Sequence, residues 1–272
     1  MLGQTIDGNA LEGVSSTTLY TLYNRATFAA GDRRVVDDPM ALRIFDSIDY
    51  DWSKFGKADP AAALRSRTFD RATRDFLALN PRATIVALGE GLQTSYWRLG
   101  RPHNPWFSID LEPVMDLRSR VLPDEQEITH LAESAFDTAW MSSIPQGEKV
   151  FVTAEGLLMY FDEASAMALI AECAARFPGG GMIFDSIPTW VSKKTIKGVA
   201  MSDHYTIPAM PFSMSTSRAR LLASEIPGVV SATEKLFPSA HGMSKFMTNR
   251  VLSDLPRLRD LRPCTTVLQF AG

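Results

Sequence analysis

The stretch that decides the fold is ATIVALGEGLQTSYWRL, residues 83–99. Within it, Ile85-Val86-Ala87-Leu88 is an unbroken apolar run and reads as a strand buried on both faces. Gly89-Glu90-Gly91 ends that strand, and residues 92–99 are competent to form a helix. Strand, glycine turn and helix are how an open α/β sheet presents a ligand site. The glycines let the backbone come close to a ligand, and a helix start offers unpaired N–H groups. A second strand, read at 106–111, carries Asp110 about twenty residues after the turn, where an acid can accept from both hydroxyls of a ribose. The third glycine of the dinucleotide fingerprint is missing, because Thr94 stands in its place. The pattern therefore argues against NAD and for a smaller adenosine ligand such as S-adenosylmethionine.

Outward from this centre, strands read at 128–133, 149–154, 181–187, 230–237 and 264–271 alternate with helices at 113–121, 135–143, 162–177 and 216–226. Alternation of this kind is the pattern of a doubly wound sheet. Before the sheet, Leu19, Leu22, Tyr23, Ala26 and Ala30 recur at helical steps. Asp38-Pro39 has the chemistry of a helix start, and Pro60 opens a longer helix to Leu79. Residues 1–80 therefore read as a helical cap packed on a core of 81–272. The segment 188–215 has no steady period and holds Met201, Met210, Met214, His204, Tyr205 and Phe212. It is expected to form the adaptable apolar wall of a pocket, within a lid spanning 188–226.

Composition narrows the function classes. A net charge of −3 gives no basic footprint for nucleic acid. The two cysteines, Cys173 and Cys264, lie far apart without a CxxC pattern, so buried reduced thiols are expected rather than a disulfide framework or a zinc site. No metal-ligand spacing is present, and no metal is expected. No apolar run approaches a membrane span, and the first thirty residues lack a signal-peptide pattern, so a cytoplasmic protein is expected.

Six segments in order carry a family resemblance. They are Leu22-Tyr23-Asn24-Arg25-Ala26, Leu64-Arg65-Ser66-Arg67-Thr68-Phe69-Asp70, Leu88-Gly89-Glu90-Gly91-Leu92-Gln93-Thr94, Asp110-Leu111-Glu112-Pro113-Val114, Ser134-Ala135-Phe136-Asp137-Thr138-Ala139-Trp140 and Glu155-Gly156-Leu157-Leu158-Met159-Tyr160-Phe161. Together they resemble the leucine carboxyl methyltransferase family, in its polyketide-synthesis, tetracenomycin-type branch. The resemblance runs from about residue 20 to 190 and is loose beyond. It implies a class I S-adenosylmethionine-dependent methyltransferase fold, Rossmann-like with a seven-stranded sheet, and methyl transfer to oxygen, often of a carboxylate. The family loop usually has Asp where this chain has Gln93, which takes a charge out of the loop.

Each part of S-adenosylmethionine calls for a partner. The resemblance puts Arg65 on the carboxylate head, where a guanidinium can bind with two parallel bonds. Asp110 and Leu111 fall beside the ribose and Gly89 and Gly91 under the cofactor. Ser134, Ala135 and Asp137 match the adenine side, with Asp137 equally suited to cap a helix. Glu155, an acid in an apolar run, suits the ammonium. On the acceptor side a carboxylate needs no base, only a positioning group, for which Arg25, Tyr160 and His204 are candidates. Tyr23, Arg25, Tyr160, His204 and Tyr205 are the expected acceptor contacts. A phenol would instead need a base, for which His204 and His241 are available. Three readings stand beside a small-molecule carboxyl methyltransferase: a phenol methyltransferase, a methyltransferase of a protein's C-terminal carboxylate, and a non-catalytic binding protein.

Overall fold

The computed structural model describes residues 6–31, 35–238 and 256–272. Seven strands form one sheet: β1 Thr84–Leu88, β2 Trp106–Asp110, β3 Ile128–Ala132, β4 Val150–Ala154, β5 Gly181–Ser186, β6 Val229–Glu234 and β7 Cys264–Phe270. Their spatial order is β3-β2-β1-β4-β5-β7-β6. Neighbours are parallel except at β7, which runs antiparallel to both β5 and β6. The chain order reverses at β1, so the crevice beyond the ends of β1 and β4 is the topological switch point.

The apolar run of β1 divides between two layers. Ile85 and Ala87 pack with Phe69 and Ala72 of helix α3 (Ala61–Leu79). Val86 and Leu88 pack with Leu169, Ile170 and Cys173 of helix α6 (Glu163–Arg176) on the opposite face. Burial on both faces is why the strand lacks alternation. The N-terminal cap consists of α1 (Thr17–Ala30), α2 (Pro39–Ser47) and the turn Trp52–Phe55. Leu19, Leu22, Ile44 and Phe55 share a core with Leu92 and with Val114 and Leu117 of helix α5 (Glu112–Val121). Cys173 and Cys264 are buried free thiols. Among the described residues no helix is long and apolar enough to cross a membrane.

Three expected helices are altered. The helix expected at 92–99 is reduced to α4, Ser95–Arg98, because the amides of 91 and 92 and the carbonyls of 91–93 are claimed by partners described below. The helix expected at 135–143 is a 3-10 turn, Thr138–Ser143, and that at 216–226 splits into Thr216–Ala219 and Leu222–Glu225. The aperiodic segment 188–215 contains helix α7 (Thr189–Ile196) and a hairpin of Val199–Ser202 with Tyr205–Ile207.

The glycine loop after β1 is densely hydrogen-bonded. Gly89 N–H donates to Ile109 C=O, Gly91 N–H to Asp110 Oδ2 and Gln93 N–H to Glu90 C=O. Leu92 N–H donates to Thr18 Oγ1 of α1, at 2.7 Å. The three consecutive carbonyls of 91–93 are taken by two guanidiniums. Arg118 Nη1 of α5 donates to Gly91 C=O (2.7 Å) and Gln93 C=O (2.9 Å), and Arg25 Nη2 of α1 donates to Leu92 C=O (2.6 Å). Both arginines are 0% exposed, and each has a buried acid: Asp38 for Arg25 and Glu90, 2.8 Å away, for Arg118. Gly91 has φ +54°, and a Cβ there would lie 2.3 Å from Thr18 Oγ1, so the turn and the docking of α1 both require glycine.

Arg25, expected from the sequence to be an acceptor contact, is therefore not one. It holds the loop from behind, with its charge spent on Asp38 and a carbonyl. Arg25→Met leaves a buried carbonyl unpaired and strips one cation from Asp38. Urea unfolding of the variant is expected to show a loss of about 3 kcal/mol, and a wild-type midpoint would detach Arg25 from loop support.

Candidate cofactor and acceptor site

Strand register sets the site. Leu88 pairs with Ile109 and with Ala154, and Ala154 with Phe184. The next residues, Gly89, Asp110, Glu155 and Asp185, thus emerge side by side at the switch point. Gly89, Asp110 and Glu155 border a cavity of about 330 Å³ lined also by Arg65, Gly91, Leu111, Ser134, Ala135 and Phe136. That volume is within the range of small-ligand sites.

Asp110 takes two backbone amides, Gly91 N–H on Oδ2 (2.7 Å) and Leu111 N–H on Oδ1 (2.8 Å). Burial nevertheless pushes its pKa up, against the pull of those amides and of Arg118. Each oxygen keeps a second acceptor direction. Leu111 and Phe136, both close to half exposed, are apolar surfaces at the mouth on the Ser134–Ala135 side.

Arg65 and Glu155 form a donor–acceptor pair at the cavity wall. Arg65 Nε donates to Glu155 Oε1 (3.1 Å) and Nη1 to Asp185 Oδ2 (3.3 Å). These two carboxylates raise the guanidinium pKa, outweighing burial. Gly156 N–H donates to Asp185 Oδ1 at 2.6 Å. Gly156 has φ +67°, and a Cβ there would meet Arg65 Nη2 at 2.8 Å, so this glycine makes room for the guanidinium. Nη2 donates to no described residue.

Glu155 is asymmetric. Its Oε1 receives three donors: Arg65 Nε, Ser66 Oγ at 2.9 Å and Gln93 Nε2 at 2.7 Å. Its Oε2 has no hydrogen bond from a described residue and is not sealed from solvent. Burial raises the carboxyl pKa, opposed by Arg65, Arg98 and Arg25 and reinforced by Asp185. One side chain thus offers a free acceptor beside the free donor of another.

The remaining wall is aromatic. Tyr20, Tyr160 and Tyr205 line it with Ile207 and Met210. Tyr205 stacks on Tyr20 (5.4 Å, 23°) and meets Phe55 edge-on, so the hairpin and the cap close this end together. Burial raises the pKa of all three phenols, which stay protonated at neutral pH and act as donors, not bases. No described residue lining the cavity is a histidine.

Of the expected site residues, Arg65, Gly89, Gly91, Asp110, Leu111, Ser134, Ala135, Glu155, Tyr160 and Tyr205 line this one cavity. Four do not. Arg25 is committed to the loop. Tyr23 donates its hydroxyl to Gly56 C=O and packs among Phe45, Trp52 and Phe55 in the cap. Asp137 caps the turn after it, accepting from Ala139 N–H. His204 is exposed in the two-residue turn of the hairpin. His241 lies outside the described residues. Met210 is on the wall, whereas Phe212 and Met214 belong to the main core.

The sequence reading missed the support behind the site. Asp38, fully buried, caps α2 through Ala41 N–H and accepts from Arg25, Arg98 and Thr94. Burial works to raise its pKa, but the Arg98 and Arg25 guanidiniums with Thr94 and Ala41 outweigh it, and the carboxyl sits below its ordinary value. Arg98 forms a two-bond pair with Asp70 (2.7 and 2.9 Å). Arg98 and Arg118 lie outside the segments that carry the resemblance, and Asp70, the last residue of one of them, has no pattern that singles it out.

Comparison with known proteins is consistent with this site. Tetracenomycin polyketide synthesis O-methyltransferase TcmP of Streptomyces glaucescens is 28% identical over 266 residues, 96% of this chain and 90% of TcmP. The S-adenosyl-L-methionine-dependent methyltransferase dpfgK of Gibberella zeae is 27% identical over 206 residues, 67% of this chain and 68% of that protein. Among solved structures, a Thermobifida fusca protein assigned to the methyltransferases superposes with a TM-score of 0.55 at 12% identity, covering 93% of this chain and 94% of that one. The CurJ carbon methyltransferase gives 0.56 at 14% identity, over 95% and 68%. These structural likenesses are of fold: an α/β protein with the seven-stranded mixed sheet of class I methyltransferases. The family model for leucine carboxyl methyltransferase matches residues 18–174, well over half of the sequence, and the chain belongs to that family.

Proposed function

We propose that this S-adenosylmethionine-dependent O-methyltransferase acts on a carboxylate oxygen of a small aromatic or polyketide-like acid. The observation that carries the acceptor class is the tyrosine wall: three protonated phenols and, among the described lining residues, no histidine. An acceptor that must lose a proton would find no imidazole to take it, and the free oxygens of Asp110 and Glu155 are matched by the cofactor. A carboxylate is already ionised at neutral pH and needs only donors to orient it.

The residues present fit the cofactor. Glu155 Oε2 and Arg65 Nη2, neighbouring and free, match the ammonium and carboxylate of an amino-acid head. Asp110, with acceptor directions to spare, matches a ribose diol, and Leu111, Ala135 and Phe136 supply apolar surface for a purine. With Nε and Nη1 already engaged, Arg65 meets the head chiefly through Nη2 rather than with its whole fork. When bound, S-adenosylmethionine supplies an electrophilic methyl group on a sulfonium. The chain's task is alignment, holding the acceptor oxygen near 3 Å from that carbon and opposite the sulfur. Tyr160 and Tyr205 donate to the carboxylate, and Ile207 and Met210 cover the acceptor's apolar body and keep water out.

The test is methyl transfer from labelled cofactor to a panel of aromatic polyketide acids, followed by alkaline treatment. A methyl ester releases its label as methanol under alkali and an ether does not. Label volatile after alkali is expected, with kcat at saturating cofactor nearly flat from about pH 6 to 8. Base-stable label, or a rate that climbs through pH 7, would replace the carboxylate with a hydroxyl.

A second expectation comes from the raised carboxyl pKa values of Asp110 and Glu155. The folded protein binds these protons more tightly than the unfolded chain. Stability therefore rises as pH falls from the raised native values toward the ordinary carboxylate range, about 4. Cofactor affinity, which uses the ionised forms, declines over the same window. Melting temperature and calorimetric affinity should move in opposite directions from pH 7 to 5, and parallel curves would exclude these two acids from the cofactor site.

A further inference from the structure

Gln93 closes the glycine loop after β1, and its surroundings give it a role. Its Nε2 donates to Glu155 Oε1 at 2.7 Å, the shortest of the three bonds on that oxygen. Its own Oε1 lies 3.4 and 3.5 Å from the two terminal nitrogens of Arg98. Contact with a guanidinium on one side fixes which end of the amide faces Glu155. The side chain is buried, 7% exposed, so water does not substitute for it.

We infer that Gln93 is a positioning residue whose neutral carboxamide holds Glu155 ionised with Oε2 turned into the cavity, toward the cofactor's ammonium. The inference rests on the cofactor reading given above. With Oε1 filled by Arg65, Ser66 and Gln93, only Oε2 remains for a ligand. The charges around Glu155 show why neutrality matters. Arg65 faces it from α3, Arg98 from α4 and Arg25 from α1, with Asp185 from β5. Arg98 is shared with Asp38 and Asp70, and Arg25 with Asp38. The group therefore holds three guanidiniums against four carboxylates: Asp38, Asp70, Glu155 and Asp185. The surplus of one negative charge matches the single net positive charge of S-adenosylmethionine, whose ammonium and sulfonium outweigh its carboxylate. An acid at 93 would add a fifth carboxylate, oxygen against oxygen with Glu155, and one of the two would have to keep a proton.

The experiment is calorimetric titration of S-adenosylmethionine into the wild type, Gln93→Met and Gln93→Glu from pH 6 to 8.5. Affinity is read as the ratio of variant to wild type at each pH, so that titration of the ligand itself cancels, and thermal melts establish that each variant is folded. Gln93→Met removes the donor without adding charge and is expected to bind roughly tenfold more weakly at every pH, the loss of a hydrogen bond to a charged group. Gln93→Glu is expected near wild type at pH 6, where a proton shared between the two carboxyls replaces the amide donor. It should fall at least tenfold below wild type by pH 8.5, when that proton is lost. A role confined to packing predicts pH-independent ratios in both. Wild-type affinity in Gln93→Met, or a flat ratio for Gln93→Glu, overturns the inference while leaving the cofactor reading intact. Failure of the cofactor reading itself would appear in the wild type, as no binding at all.

Discussion

The site depends on three consecutive backbone carbonyls. Gly91, Leu92 and Gln93 turn their C=O groups away from the cavity, and two buried guanidiniums take all three. A loop that presented these carbonyls to the ligand would repel a carboxylate head. With the carbonyls pulled back, the inner surface of the loop presents glycine backbone and is bordered by Asp110. The cost is two buried cations, each of which needs a buried acid of its own. That requirement explains why Asp38, which also caps α2, and Glu90 are buried beside the guanidiniums. It also explains why the first helix of the cap and the helix after β2 must both be in place for the loop to hold its shape.

Much of the fold was legible because the core elements obey local rules. The β1 run is apolar because both faces are covered, and all seven strands lie close to where their sequence pattern put them. The elements that shifted are those decided by distant partners. Residues 92–94 have nothing against helix locally; Thr18, Arg25 and Arg118, far away in sequence, keep them out of it. Residues 199–207 form a hairpin too short for periodicity to show, and its place is set by Tyr205 against Tyr20 and Phe55 rather than by its own pattern.

The same division runs through the site. Residues at strand ends, Asp110 and Glu155, were readable, since register alone brings them to the switch point. Arginines were not, because a guanidinium reaches far enough to serve either a ligand or the backbone, and sequence does not say which. Arg65 and Arg25 looked equivalent as cations of the cap and α3. In the structure one lines the cavity, held between Glu155 and Asp185, and the other is sealed behind the loop. His204 was an attractive base by composition, but a two-residue hairpin turn projects it into solvent.

The contacts of α1 with the glycine loop also bear on how the molecule comes into being. Thr18 and Arg25 grip Leu92 across 74 and 67 residues of chain, whereas the grip of Arg118 on the same loop spans about 25. Closing the longer segments costs more chain entropy and is repaid only when α1 docks against a formed sheet. The ligand-binding shape of the loop therefore carries the larger share of that entropy cost, while the pairing of β1 with β2 carries little of it.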